Sequence, residues 1–525
     1  MGHVLDLGWG AGNPPLAAEV RTADEVAGDD KRLAIGLIMS GALFRILSFV
    51  LSDNSGGDAN AHLELAASWL RHPTLKFIFD TYPPGHFWLI GLSSLVVPDV
   101  VAAGRLLSLV LGIASIVVCW RLASLLYGPS AGLLSLAVCS FYTLYIGYSS
   151  TSSAEISYVF FFLLAAYFFF DYLKASPGKL WYLAVSGTML SVAESIRYEA
   201  WVLFAGLGLI LLICSLRQER SLGWWKSLRP LLIFGLTAGA WPTVMTAYSW
   251  HAFGNPTQVT RLNPMRFVAA MQTSLAYQLA LTPGVLLISL SPFAVIGAIY
   301  GVTKSFSSRL TAAFAALTIF FGAIQMYWFV NRSLIVTARY TLTLGTMLAI
   351  ISGFGLQKIM ERFPARIAAA RFALIGLLVL NLTTVLVLAE VPNRYADKFA
   401  SVSPRLRYAA RIKAVGDYLR NHMGPDDAVV IDDHNVESDI VASAAGLPLV
   451  AGKRVYLASK KYPGTTVRDY ISEEHPRFLV YADRGILRRS IALPSGCRSP
   501  QELAGVEFHC VFETDVYRVY TLTYQ

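Results

Sequence analysis

Residues 51–64 read Leu51-Ser-Asp-Asn-Ser-Gly-Gly-Asp58-Ala-Asn-Ala-His62-Leu-Glu64, an acidic, glycine-containing stretch directly after the first long apolar run. Apolar residues within and beyond it recur at helical spacing: Leu63, Ala66, Ala67 and Leu70. This pattern predicts a short amphipathic helix that begins near Asp58 and lies along a membrane interface. The Asp58 carboxylate then has two interpretations, an N-cap of this helix or a catalytic base at the membrane surface.

The composition indicates a membrane protein. The 525 residues are 55% hydrophobic and 15% charged, with a mean hydropathy of +0.52, whereas soluble proteins have about 25% charged residues. The net charge of +9 is typical of basic cytoplasmic loops, so it does not indicate a nucleic-acid partner. Residues 1–30 are polar and include acidic side chains, so we expect a cytoplasmic tail rather than a removable signal peptide.

Eleven apolar runs have about the length that a bilayer crossing needs. They lie at about 33–51, 101–120, 131–148, 156–173, 180–196, 199–215, 230–249, 280–301, 310–330, 336–356 and 372–390. A further run, Phe87 to Val97, is too short to cross and is predicted to be interfacial or re-entrant. The membrane domain therefore occupies residues 31–395.

The basic residues support this count. If residues 83–97 do not cross, nearly every Lys/Arg cluster falls on one side, as the positive-inside rule requires of the cytoplasm. The opposite side then gathers four polar segments: the Asp58 loop, Ser149–Glu155, Arg197–Glu199 and His251–Met271. Charges that converge on one face from distant parts of a membrane chain indicate a site.

Residues 396–525 have the pattern of a small α/β domain on the same outer face. We predict a helix at Arg411–Met423 and strands at 429–431, 478–481 and 516–522. Cys497 and Cys510 lie in this part and can pair if it faces an oxidising compartment.

The order of these motifs resembles the GT-C membrane glycosyltransferases. It comprises Asp58 in the first outer loop, a Pro-Pro pair at 83–84, Arg105–Ser108, Glu155 and the Arg197-Tyr-Glu corner. The nearest group is the dolichyl-phosphate-mannose–protein mannosyltransferases (glycosyltransferase family 39) and their bacterial relatives. The resemblance covers about residues 30–300.

The resemblance implies an all-α polytopic membrane protein and an inverting hexosyl- or pentosyltransferase. It would move a sugar from a polyprenyl-phosphate carrier to a glycan, lipid or protein acceptor. The reaction would occur on the extracytoplasmic face, in a bacterial case at the inner membrane.

The resemblance also assigns roles to residues. Asp58 matches the family's first acidic residue and is the expected base for the acceptor hydroxyl. Glu155 matches the second acidic position, where it would orient the sugar or hold a divalent ion. Relatives often carry Asp-Glu in the first loop and a Lys before the Pro-Pro pair, whereas this chain has Ala59 and Tyr82 at those positions. Contacts to the lipid phosphate are therefore expected from Arg197, Arg261 and Arg266, since guanidinium binds phosphate bidentately. Tyr82 and His86 are further candidate substrate-binding residues. No cofactor is expected beyond a candidate divalent metal, with Asp58, Glu155 and His251 as its candidate ligands.

Other interpretations stay open at this point. Glu155 is also placed to cap a helix, and Arg197 to reach the lipid interface or to pair with Glu194 three residues earlier. Loop arginines such as Arg261 and Arg266 are often simply solvated. A transporter or flippase of a lipid-linked sugar is an alternative function, as is a glycan ligase with a diphosphate-linked donor. A transporter should show related halves and charges near the membrane centre, so the position of the charges at span ends favours the enzyme.

Overall fold

The protein is described by a computed structural model. It describes residues 23–52, 59–71, 73, 83–175, 179–222, 224–256, 274–331, 337–362, 367–390, 410–432 and, between short gaps, parts of 441–525. Four predicted site residues lie outside these ranges: Asp58, Tyr82, Arg261 and Arg266.

The membrane domain consists of helices from Ala23 to Glu390. They are α1 (Ala23–Leu51), α2 (Ala59–Arg71), α3 (Gly85–Ser94), α4 (Val100–Tyr127), α5 (Pro129–Ser140), α6 (Thr143–Tyr148), α7 (Ala154–Lys174), α8 (Leu180–Ile196), α9 (Glu199–Leu222), α10 (Trp224–Ala238), α11 (Ala240–Phe253), α12 (Leu275–Leu290), α13 (Pro292–Ser305), α14 (Arg309–Val330), α15 (Thr341–Met360) and α16 (Ile367–Glu390). A 3₁₀ turn at Ala338–Tyr340 precedes α15.

The all-α polytopic fold is confirmed. Within the described residues, seven helices are long and apolar enough to cross a membrane, or up to nine spans if each of two bent pairs is one. Two shorter apolar helices, α5 and α8, occupy the other predicted runs. The predicted helix near Asp58 is α2, with Leu63, Ala66 and Ala67 buried, and α3 is the short interfacial helix, only ten residues long.

Several predicted spans are broken, and proline or glycine marks the breaks in two of them. The predicted span at 280–301 is α12 and α13, which meet at 112°. Pro292 cannot continue α12, and Ser291 adopts φ +85° while its Oγ accepts a hydrogen bond from the Ala294 amide. The run at 230–249 bends by 53° at Gly239, between α10 and α11. The run at 131–148 is divided into α5 and α6.

Small residues allow α13 and α15 to pack closely. Gly297 and Gly301 of α13 face Gly355 of α15, where an added side chain would collide with the Gly297 carbonyl. Close approach through residues four apart is typical of packing between membrane helices. This contact fixes α15, whose first turn lies beside the site described below.

The C-terminal domain is α/β, as predicted. It contains α17 (Ala410–His422), α18 (Val467–Glu474) and a six-stranded sheet of order β2-β1-β3-β6-β5-β4. The strands are β1 (Val429–Ile431), β2 (Val455–Leu457), β3 (Phe478–Ala482), β4 (Gln501–Leu503), β5 (Val506–Glu513) and β6 (Tyr517–Tyr524). β1 is parallel to β2 and β3, and the remaining pairs are antiparallel. Cys497 and Cys510 are joined by a disulfide.

The C-terminal domain and the interfacial helices share an apolar core. Leu63 of α2 and Phe87 of α3 belong to one continuous buried cluster with Val415 of α17 and Val429 of β1. Burial of such side chains is worth about 1.5–3 kcal/mol each. The helix that directly follows Asp58 is therefore packed as part of this joint core.

Candidate functional site

A pocket lies where α7, α9, α14 and α15 begin or end. Its charged side chains are Glu155, Arg197, Glu199 and Arg339. Its remaining walls are Tyr158, Phe321, Gln325, Trp328, Tyr340 and Thr343. The pocket thus joins two predicted site residues, Glu155 and Arg197, that are 42 positions apart in the chain.

Arg197 is the centre of the ion pairs in this pocket. Its Nη1 donates to Glu155 Oε1 at 2.6 Å, and its Nη2 donates to Glu199 Oε1 at 2.6 Å. Its Nε also donates to both Glu199 oxygens at 3.2 Å. Burial lowers the pKa of the guanidinium, but the carboxylates of Glu199 and Glu155 outweigh that effect and hold the pKa well above its ordinary value. Arg197 is therefore a permanent cation held inside the pocket, not a side chain that reaches for the lipid interface.

The chain places these carboxylates at two helix starts. Glu155 is in the first turn of α7 and Glu199 is the first residue of α9, where the helix dipole favours negative charge. The Glu155 side chain is only 5% exposed. Its Oε1 is bound by an arginine.

Arg339 is a site residue that the sequence analysis did not identify. Its Nε lies 3.8 Å from Glu155 Oε1, and its guanidinium carbon is 5.1 Å from the centre of the Tyr340 ring. The Arg197 guanidinium carbon lies 5.0 Å from the same ring. Gln325 fixes this turn, because its Nε2 donates to the Tyr340 carbonyl at 2.5 Å. Arg339 falls within the run predicted as the span 336–356, and an arginine inside an apolar run is the signal that would have found it.

A serine-rich segment, residues 149–153, lies between this pocket and the end of α1. All five of its side chains are buried. Arg105 Nε donates to the Ser150 carbonyl at 2.8 Å, and its Nη2 donates to the carbonyls of Phe49 and Ser52 at 2.6 and 2.5 Å. One guanidinium therefore joins the end of α1, directly before the Asp58 loop, to the segment that leads to Glu155.

His86 belongs to the same packing rather than to the pocket wall. Its ring is fully buried, its Nε2 donates to the Ser152 carbonyl at 2.9 Å, and it packs edge-on against His62 with ring centres 4.9 Å apart. Burial lowers the pKa of His86 to about 4, so the ring is neutral at physiological pH. His86 thus holds the segment that carries Glu155, and its predicted contact with substrate stays a prediction.

Two further expectations differ from the structure. Glu194 does not pair with Arg197: it is fully buried on α8, and its oxygens have no hydrogen-bond partner in the described part of the chain. The i, i+3 spacing brings two side chains together only within a helix. Because α8 ends at Ile196, Arg197 has an extended backbone with φ −147° and its side chain is not placed beside Glu194. His251 is exposed near the end of α11 and does not line the pocket.

The described residues do not form a divalent-metal site. They contain no group of three or more His, Cys, Asp and Glu side chains placed to hold an ion. Of the candidate ligands, Glu155 is ion-paired to Arg197, His251 is exposed on α11, and Asp58 lies outside the described residues. We therefore assign no step to a metal.

Part of the chain resembles a known protein family. The family model described as dolichyl-phosphate-mannose-protein mannosyltransferase matches residues 81–251. No curated protein matches the chain by sequence.

Solved structures with a similar fold cover most of the chain. ArnT from Cupriavidus metallidurans in the apo state is 13% identical with a TM-score of 0.61, and the alignment covers 94% of this chain and 98% of ArnT. ArnT bound to undecaprenyl phosphate gives a TM-score of 0.59 at 13% identity, over 95% and 98% of the two chains. Archaeoglobus fulgidus AglB is an oligosaccharyltransferase, solved in complex with an inhibitory peptide and a dolichol-phosphate. It is 11% identical with a TM-score of 0.52, and the alignment covers 87% of this chain and 70% of AglB.

Proposed function

The chain has the fold of the GT-C membrane glycosyltransferases, and we propose that it transfers a sugar from a polyprenyl-phosphate carrier to an acceptor hydroxyl. The observation that carries the proposal is the pocket in which Arg197 and Arg339 flank one tyrosine ring at the ends of membrane helices. Two guanidinium groups at the membrane surface suit a lipid phosphate, since guanidinium binds phosphate bidentately.

In the proposed reaction, the two arginines stabilise the leaving phosphate. The acceptor oxygen attacks the anomeric carbon, the bond from that carbon to the phosphate oxygen breaks, and polyprenyl phosphate leaves with the bonding electrons. The phosphate gains about one negative charge during this step, so fixed cations stabilise the transition state more than the bound donor. Arg197 and Arg339 supply that stabilisation in the proposal.

The acceptor hydroxyl must also lose a proton. In the proposal Asp58 takes it, because an alcohol is a weak nucleophile near neutral pH and needs a positioned base. Asp58 directly precedes α2, and Arg105 binds the carbonyl of Ser52 at the start of the same loop. Both residues that border the Asp58 loop, Ser52 and Ala59, are buried.

We further propose that the pocket faces away from the cytoplasm. The helices that begin beside the pocket carry lysines in their last turns, Lys174 on α7 and Lys358 on α15, so basic residues collect at the opposite end. The disulfide between Cys497 and Cys510 also suits an oxidising compartment. A reporter enzyme fused near residue 450 tests this orientation, and activity of a cytoplasm-specific reporter there would contradict it.

The function is tested by donor turnover. Purified protein in lipid discs would receive a panel of polyprenyl-phosphate sugars with acceptor extracts, and the release of polyprenyl phosphate would be measured. We expect Arg339→Gln to lower the release rate by about 10²-fold or more, as loss of one charged transition-state donor does in other enzymes. The matched control is Arg362→Gln, since Arg362 lies just beyond the other end of α15, where its Nη2 donates to the Tyr300 hydroxyl at 2.9 Å. Equal rates for the two variants would contradict the role of Arg339.

A further inference from the structure

The Glu155 carboxylate lies between the two arginines of the pocket. Its Oε1 accepts from Arg197 Nη1 at 2.6 Å and lies 3.8 Å from Arg339 Nε. An oxygen anion near two guanidinium groups is the environment that a phosphate oxygen requires. Glu155 thus occupies a position in which the leaving group of the proposed reaction would also be bound.

Arg197 does not depend on Glu155 for its charge balance. Glu199 contacts the same guanidinium through both of its oxygens, by three donor–acceptor pairs of 2.6–3.2 Å. Glu199 is the first residue of α9 and is two positions from Arg197, so this pair stays in place through local chain geometry. Glu155 therefore adds a second carboxylate beyond the one that anchors Arg197.

The charges of the four side chains cancel. Two guanidinium groups and two carboxylates line the pocket, so it offers no net positive charge to an incoming phosphate while Glu155 stays between the arginines. Anions a few ångströms apart in a buried site repel each other strongly, because the local dielectric is low. A phosphate and the Glu155 carboxylate cannot favourably share this position.

We propose that Glu155 is an exchangeable counter-ion, which occupies the phosphate position between Arg197 and Arg339 and is displaced when the lipid phosphate binds. Glu155 lies in the first turn of α7, and in the proposal its side chain rotates to withdraw the carboxylate. After transfer, its return competes with polyprenyl phosphate for the two arginines and promotes product release. Glu155 is then a positioning residue that controls occupancy of the anion site, and the inference rests on the proposed function.

The proposal predicts opposite effects on binding and turnover. Removal of the competing charge in Glu155→Gln should tighten the binding of polyprenyl phosphate by about tenfold, the size expected for a close buried charge pair. Steady-state turnover should fall because release of the product becomes slower, while the first turnover keeps close to its wild-type rate. A catalytic or sugar-binding carboxylate would instead slow the first turnover or weaken binding.

The experiment measures binding of undecaprenyl phosphate to the full-length protein in lipid discs. The matched control is Glu361→Gln, which removes the same charge beyond the far end of α15, where Glu361 pairs with exposed Lys358. We expect tighter binding by Glu155→Gln and unchanged binding by Glu361→Gln. Equal or weaker binding by Glu155→Gln, with a wild type that binds, would overturn this inference and leave the proposed function intact. No binding by the wild type would overturn both.

Further variants test the proposal if Glu155→Gln does not fold. If thermal melting shows that Glu155→Gln is unfolded, Glu155→Asp keeps the charge but shortens the side chain, which withdraws the carboxylate from Arg339. Its binding of undecaprenyl phosphate should lie between that of the wild type and the tenfold gain, and unchanged or weaker binding would overturn the inference. Where both Glu155 variants fold, Arg339→Gln should weaken binding more in the Glu155→Gln background than in the wild type.

Discussion

At the scale of single residues, Arg105 links the two outer segments that supply the acidic residues. It donates to carbonyls on both sides: Phe49 and Ser52 at the end of α1, and Ser150 in the segment before Glu155. Charge-assisted hydrogen bonds of this kind are among the strong ones. Arg105 therefore holds the end of α1 against the segment that leads to Glu155, and it does not line the pocket itself.

We expect Arg105→Gln to reduce turnover about 10²-fold, because a shift of about 1 Å at the reacting groups has an effect of this size. Binding of polyprenyl phosphate should change little, since Arg197 and Arg339 remain. The comparison is Arg121→Gln on the same helix, where Arg121 contacts the Trp120 ring. A parallel loss of binding and turnover would show that Arg105 supports the fold as a whole.

The spacing of charged residues in the sequence identified some of the site residues but not all of them. The position of charges at span ends found Glu155 and Arg197, and the structure places them in contact. The sequence analysis did not identify Arg339. Hydropathy is averaged over a window, so one arginine in the turn before the apolar helix α15 changes the average little. The alternative in which Arg197 pairs with Glu194 is wrong, because it assumes that α8 continues past Ile196.

At the scale of elements, hydropathy predicts which segments are apolar but not where they bend. The strands at 429–431 and 478–482 and helix α17 agree with the predicted ranges within a residue or two. The run at 280–301 is instead two helices, since Pro292 ends α12 in a stretch that remains uniformly apolar. Bends of this kind depend on backbone hydrogen bonding, to which a hydropathy average is insensitive.

Packing of α13 against α15 yields a prediction of stability. Gly355→Leu would force a side chain into the Gly297 carbonyl, so we expect a loss of about 1–3 kcal/mol in the free energy of unfolding, typical of overpacking. Thermal melting in detergent measures it. Gly376→Leu on α16 is the control, because nothing lies within 4 Å of a side chain added there. Equal melting temperatures for the two variants would contradict the close contact.

At the scale of the whole molecule, the two domains form one unit around the site. The C-terminal domain shares a buried cluster with α2 and α3, and His86 of α3 connects that cluster to the segment that leads to Glu155. The sequence predicted a helical membrane part and an α/β C-terminal part, and the predicted boundary at residues 395–396 lies outside the described residues. The shared core could not be predicted, because contacts between segments some 350 residues apart leave no local pattern.

The joint core gives the Asp58 loop a fixed end, since the loop runs directly into α2. A base must be held within hydrogen-bond reach of the acceptor hydroxyl, and the helix that directly follows Asp58 is packed into this core. In the proposed function, Asp58 and the arginine pocket act together, with the base at the acceptor hydroxyl and the cations at the phosphate.

The most direct test is the release of polyprenyl phosphate by wild type, Asp58→Asn and Asp53→Asn in lipid discs. Loss of a positioned general base should lower the rate by about 10²–10⁴-fold in Asp58→Asn, with binding of polyprenyl phosphate retained. Asp53→Asn, in the same loop, should keep close to the wild-type rate. Equal rates for Asp58→Asn and the wild type would contradict the account and leave Asp58 as the N-cap of α2.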